Sequence, residues 1–255
     1  MHTNHLGKIL DDYKNMKHTL ILLFILPMLV FGQNKTDKKG QKQGAWEVKY
    51  EKSEIVRYKG TFKDDKPVGE FVHYYPNGKV KAISNHVANT NVSRTKMYDT
   101  EGKLIAFGKY VNQEKDSTWT YYGANGSVTS REDYKLGKRH GKKLVYFSDN
   151  KLYEEMTYEE GIEQGVWAVY HANGKTRVTC NFKDGNMDGK ITYYYENGTL
   201  ETEGFYRNAV QNGFWRFYDT RGRIEKEAFY KNGEVILEGD DITDELKKLK
   251  EEGKL

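Results

Sequence analysis

Apolar and polar residues alternate along this chain in short runs, and the alternation returns every 24 residues. Tyrosine marks the phase at Tyr74, Tyr98, Tyr122, Tyr146, Tyr170, Tyr194 and Tyr218. Four residues after each stands Gly78, Gly102, Gly126, Asn150, Gly174, Gly198 or Gly222. A fixed period of about 20–50 residues marks a repeat architecture, in which each unit buries its apolar surface on its neighbours.

Each unit is counted here from Gly69, Gly141, Gly165, Gly189 or Gly213, with Ser93 and Ser117 in that place twice. Position 2 is then Phe71, Trp119, Trp167, Ile191 or Trp215 in five units, and position 5 is the tyrosine. Position 11 is aliphatic except at Thr176, and position 17 is aromatic except at His86. A partial unit, Gly44-Ala45-Trp46, leads in. Two apolar runs split by Asn-Gly read as a β-hairpin. Seven full units and the partial one predict about fifteen strands in a single sheet.

The turn type follows from its residues. Position 8 holds Glu101 and Arg221 in two units, and neither suits the left-handed region that a type I′ turn demands. Pro76 at position 7 suits a type I turn. A type I turn closed by a left-handed residue at position 9, a G1 bulge, is therefore expected. In that register position 5 faces 11 and position 3 faces 13. The tyrosine column then packs with positions 11 to 17 on the apolar face, and Phe71, Trp119, Trp167 and Trp215 lie opposite, beside Lys and Arg stems. Those four residues are the candidate binding surface, as Trp and Tyr dominate interface energetics. A type I′ turn would exchange the two faces.

Composition narrows the class. The apolar fraction is 37% while aromatics reach 14%, with 20 tyrosines, which suits an extended sheet better than one large core. A formal charge of +4 with Lys and Glu interspersed predicts a solvated surface and no nucleic-acid partner. Cys180 is the one cysteine, so an intrachain disulfide is excluded. Its equivalents at position 15 are mostly small: Ser84, Gly108, Glu132, Met156, Gly204 and Ala228. A buried, inert thiol is expected.

The run from Thr19 to Phe31, after Lys17 and His18, fits a secretory signal better than a membrane span. Its start is read at Met16 and its cleavage near Gly32, with an uncleaved N-terminal anchor as the alternative. Residues 1–32 are thus read as extension and signal peptide, 33–43 as a polar linker, 44–238 as the repeat domain and 239–255 as an amphipathic helix. In that helix Ile242, Leu246 and Leu249 form one apolar stripe, and Asp241 or Thr243 supplies the cap.

No catalytic constellation emerges. Beyond the signal segment the histidines His73, His86, His140 and His171 fall at four different positions of the unit. No His-x-x-x-His or Cys-x-x-Cys pair, phosphate loop or nucleophile elbow occurs in the sequence. A non-enzyme without metal or cofactor is expected.

The pattern Gly165-Val166-Trp167-Ala168-Val169-Tyr170-His171-Ala172-Asn173-Gly174, and Gly213-Phe214-Trp215-Arg216-Phe217-Tyr218 with it, resembles the variant MORN repeat. The likeness covers about residues 44–236. It implies an all-β fold: an elongated single-sheet antiparallel meander of hairpin repeats with a short C-terminal capping helix. Bacterial chains of this sort resemble YwqK-type toxin–antitoxin antitoxin components. That resemblance implies binding and offers no catalytic residues. The function expected is a non-catalytic protein-binding scaffold exported to the cell envelope. The alternatives are an antitoxin or immunity protein, or a module for membrane lipid or glycan. The unit through Asn85-His86-Val87-Ala88-Asn89-Thr90-Asn91-Val92-Ser93 departs most from the pattern. It is read as drift, with a bend or a partner contact as the other reading.

Overall fold

The computed structural model describes residues 33–254. The signal-peptide reading, the start at Met16 and the cleavage near Gly32 lie outside the described residues. Within them the chain forms a sheet of 19 antiparallel strands and one helix, Thr243–Glu251. Strands pair in sequence order, and the sheet is open. Lys35–Thr36 at one edge and Glu234–Gly239 at the other each have one neighbour. The count exceeds two strands per unit because those edge strands are added and Asp188 splits one strand into Asn186–Met187 and Gly189–Tyr194.

The hairpin turn is the predicted one. In the unit of Gly69, Gly78 N–H donates to Tyr75 C=O at 2.9 Å and Tyr75 N–H to Lys79 C=O at 2.8 Å. Position 9 has positive φ throughout, from 65° at Asn150 to 91° at Gly198. The asparagine at position 8 is right-handed and does other work. Asn173 Oδ1 accepts from Lys175 N–H at 2.9 Å within its own turn. Its Nδ2 donates to Glu196 C=O of the next unit at 2.8 Å. Asn197 repeats both bonds one unit later.

The expected faces are corrected. Tyr74 faces Val80 as expected, but His73 faces Ala82, Val72 faces Ile83 and Phe71 faces Ser84. One extra residue, Lys81 at position 12, is inserted on the returning strand. Because side chains alternate, that single insertion exchanges faces for everything beyond it. Position 2 therefore shares a face with positions 13, 15 and 17. The position 5 tyrosines lie on the other, charged face: Lys59 Nζ is 5.7 Å from the Tyr74 ring, and Tyr218 Oη donates to Glu203 at 2.8 Å.

A second irregularity sits where units meet. Thr61 faces Val68 and Lys59 faces Val72, so Gly60 alone opposes three residues, Gly69, Glu70 and Phe71. The wide bulge needs a left-handed residue, which Gly69 (φ 68°), Gly141, Gly165, Gly189 and Gly213 supply and Ser117 (φ 58°) tolerates. The bulge lays the position 2 ring over position 15 of the preceding unit. A Cβ on Gly60 would come 2.1 Å from Phe71, one on Gly108 2.2 Å from Trp119, and one on Gly204 2.1 Å from Trp215. This is why position 15 is small: the next ring occupies the space of its side chain. Trp119 and Ile191 are 0% exposed, Cys180 2% and Trp215 3%.

The helix folds over the charged face at the last hairpin. Ile242 N–H approaches Glu227 Oε2 at 3.4 Å, and Lys250 Nζ lies 5.9 Å from the Phe229 ring. Ile242 and Leu246 are buried, as the apolar stripe predicts. The N-cap is Ile242, whose C=O accepts from Leu246 N–H at 2.9 Å, so neither anticipated residue holds that place; Asp241 Oδ1 accepts from Thr243 N–H at 2.9 Å in the turn before the helix.

Candidate functional site

Bulge and turn are linked by length. Most units close on their neighbours through a two-residue turn with both residues left-handed, such as Asp184 (φ 51°) and Gly185 (φ 80°). The unit of Ser93 does neither. From Ala82↔Met97 to His86↔Ser93 the pairing runs without interruption, and Ser84 Oγ meets Thr95 Oγ1 at 2.8 Å. Two bulge residues are gone and the turn Ala88–Asn91 has four residues between Val87 and Val92, whose N–H and C=O bond at 2.9 Å. The exchange keeps the period at 24.

It also opens the row of rings. Thr95 stands where four other units have Phe or Trp, and His86 stands for the aromatic at position 17. The result is a groove of about 620 Å³, in the range of ligand sites. Phe62 and Phe71 wall one side and Tyr110 the other, with His73 and His86 between them. The Phe71 ring meets His86 edge-on at 5.7 Å and lies 5.9 Å from His73. The long turn contributes Thr90 and Asn91, and the neighbouring turn Asn112 and Gln113. Asn91 Nδ2 donates to Asn112 Oδ1 at 2.8 Å, which ties the two turns together.

The histidines are held neutral. Burial pushes the His73 imidazole below its ordinary value, and the charges of Lys81 and Arg57 add to this. Burial does the same at His86, with His73 adding. No carboxylate lines the groove, and Lys66 is its single ammonium.

The expected surface residues fall elsewhere. Phe71, Trp119 and Trp215 are core side chains, closed over by the glycine of the preceding unit and by their neighbours, so they offer a partner almost no area. Only the rim of Phe71 reaches the groove. Trp167 is half-buried, because Met156 fills the place that glycine leaves open elsewhere. Its Nε1–H donates to Glu154 at 3.0 Å, and its ring meets Phe182 at 6.0 Å. The four rings are not brought together as one surface. The signal for the groove was the aberrant segment Asn85–Ser93 itself.

Two other polar clusters are internal. Glu132, 8% exposed, accepts from Tyr134 Oη at 2.7 Å and from Arg139 Nε at 2.9 Å. Burial opposes its charge, but these bonds and the nearby Lys143 outweigh burial and hold the carboxyl below its ordinary value. Lys115 Nζ sits 4.8 to 5.1 Å from the rings of Trp119, Tyr121 and Tyr134. Both clusters are satisfied by the chain's own groups. Among the described residues no three His, Cys, Asp or Glu side chains converge as a metal site. Nor is any described helix long and apolar enough to cross a membrane.

Comparison with known proteins supports the repeat. A family model described as MORN repeat variant matches residues 67–88, 139–160, 163–184 and 187–208. It passes over the units of Ser93, Ser117 and Gly213. No curated protein matches the chain. Among solved structures, a crystal structure of a GtfA/B complex bound to UDP and GlcNAc is 16% identical with a TM-score of 0.21. That match covers 46% of this chain and 23% of that one, a likeness too slight to carry an argument. Period, hairpin geometry and matched segments agree: the four matched segments are variant MORN repeats.

Proposed function

We propose that this chain is a non-catalytic scaffold, exported to the cell envelope, that holds another macromolecule there and recognises it at the groove of the Ser93 unit. The observation that carries this reading is the one unit junction that pairs without a bulge, at which a groove replaces the packed core. Elsewhere the same face is closed by its own side chains. The repeats make a rigid frame on which one modified unit is presented. A protein partner along the charged face fits the ladder Lys190, Glu203, Arg216 and Glu227, whose groups are paired and solvated at its edges.

The test is affinity capture from envelope extracts by the mature chain. It is compared with a variant carrying Ser84→Gly and Thr95→Trp, which places an indole on the face that carries His86 and Ser93 and so fills the groove. Loss of the captured component in that variant supports the reading, and its full retention sinks it.

A further inference from the structure

The groove combines two kinds of surface seldom found together in a closed core. Phe62 and Tyr110, both half-buried, supply ring surface, and Phe71 adds only its rim. Between and above them stand groups that both donate and accept hydrogen bonds without net charge: two neutral imidazoles and the carboxamides of the two turns. His73, His86 and Gln113 make no side-chain hydrogen bond to any described residue, so their polar atoms are open to a ligand. A strongly anionic ligand would meet one ammonium, Lys66, and a cationic one no carboxylate at all.

Building on the reading that this groove is the recognition point, we propose that it takes an uncharged saccharide. A pyranose ring has an apolar face of C–H groups and a rim of hydroxyls, each a donor and an acceptor. The apolar face matches the aromatic walls. The hydroxyl rim matches carboxamides and neutral imidazoles, which present a donor and an acceptor on one side chain. A peptide segment fits less well, since its backbone N–H and C=O groups seek a strand edge and this groove lies on the face of a continuous sheet. At about 620 Å³ the groove also has room for more than one sugar ring.

The experiment is calorimetric titration of the full chain with cellohexaose and chitohexaose, alongside a hyaluronan hexasaccharide as the charged counterpart. The expected result is binding of a neutral oligosaccharide that disappears in the variant with Ser84→Gly and Thr95→Trp. A second variant, Gln113→Gly, keeps the left-handed turn (φ 67°) and removes one carboxamide. It should weaken binding about fivefold, the effect of one neutral hydrogen bond. Absence of neutral-sugar binding, or binding untouched by both variants, overturns the proposal. If extract components are still lost on filling the groove while the neutral sugars neither bind nor compete, the groove remains the recognition point and the saccharide is wrong. If filling the groove changes nothing in either assay, both readings fall together.

Discussion

The Trp119 indole lies directly on Gly108, so closely that a methyl group there would stand 2.2 Å from the ring. The contact joins two consecutive units, and Gly60 with Phe71 and Gly204 with Trp215 repeat it. Gly108→Ala should therefore destabilise the chain by about 1–3 kcal/mol, the range for overpacking a core. Urea denaturation followed by tryptophan emission reads this directly. An unchanged midpoint would mean that the ring moves aside freely and that the couplet does not hold the units together.

The three tryptophans at position 2 of the full units should separate by burial. Trp119→Ala and Trp215→Ala each remove a fully packed ring, with costs of about 3–5 kcal/mol. Trp167→Ala removes a half-exposed ring with a bond to Glu154 and should cost less than either. The same order is expected in emission spectra of single-tryptophan variants, with Trp167 the most red-shifted. Equal losses would contradict the placement of Trp167 outside the ring row.

Acid should loosen the groove before the rest of the sheet. His73 and His86 titrate below their ordinary value of 6.5 in the folded chain. The unfolded chain therefore binds these protons first as pH falls, and stability drops from just above pH 6.5 down to the folded values, then levels off. Lys81, Arg57 and the second histidine face His73, and Lys66 borders the groove, so each added proton meets like charge. Replacing both histidines with Gln should flatten the melting temperature across that window. Glu132 acts in the same sense at lower pH, its contribution being present above its ordinary value of 4.5 and lost as pH falls through its lowered one.

The period, the hairpins and even the turn type were readable from residues. Glu101 and Arg221 at position 8 excluded a left-handed pair there, and the observed φ values agree. The faces were not readable. They depend on the parity of a count, and the inserted residue at position 12 has no signature: Lys81, Ile105, Thr129, Tyr153, Arg177, Glu201 and Glu225 share no property. One uncounted residue sent the tryptophans to the wrong side. The groove was half visible, as a missing aromatic at His86 and a missing glycine at Ser93. Because the longer turn replaces the lost bulge residue for residue, the phase gave no warning that the backbone had changed, and the segment resembled simple drift.

That exchange yields the sharpest test of the fold, because one substitution should have opposite signs at two equivalent places. Ser117 carries the bulge with φ 58°, a conformation that costs an L-residue about 1–2 kcal/mol. Ser117→Gly removes that strain and should raise the melting temperature, even after the entropy lost by a glycine is counted. Ser93 is at the same position of its unit, yet it is extended, buried and paired with His86 and Tyr110. Ser93→Gly gains nothing from left-handed freedom and loses strand propensity, so it should lower stability by about 0.5–1 kcal/mol. Thermal melts of the two variants decide the matter: shifts of the same sign would show that the Ser93 unit is bulged like its neighbours, and the groove would then lose its structural basis.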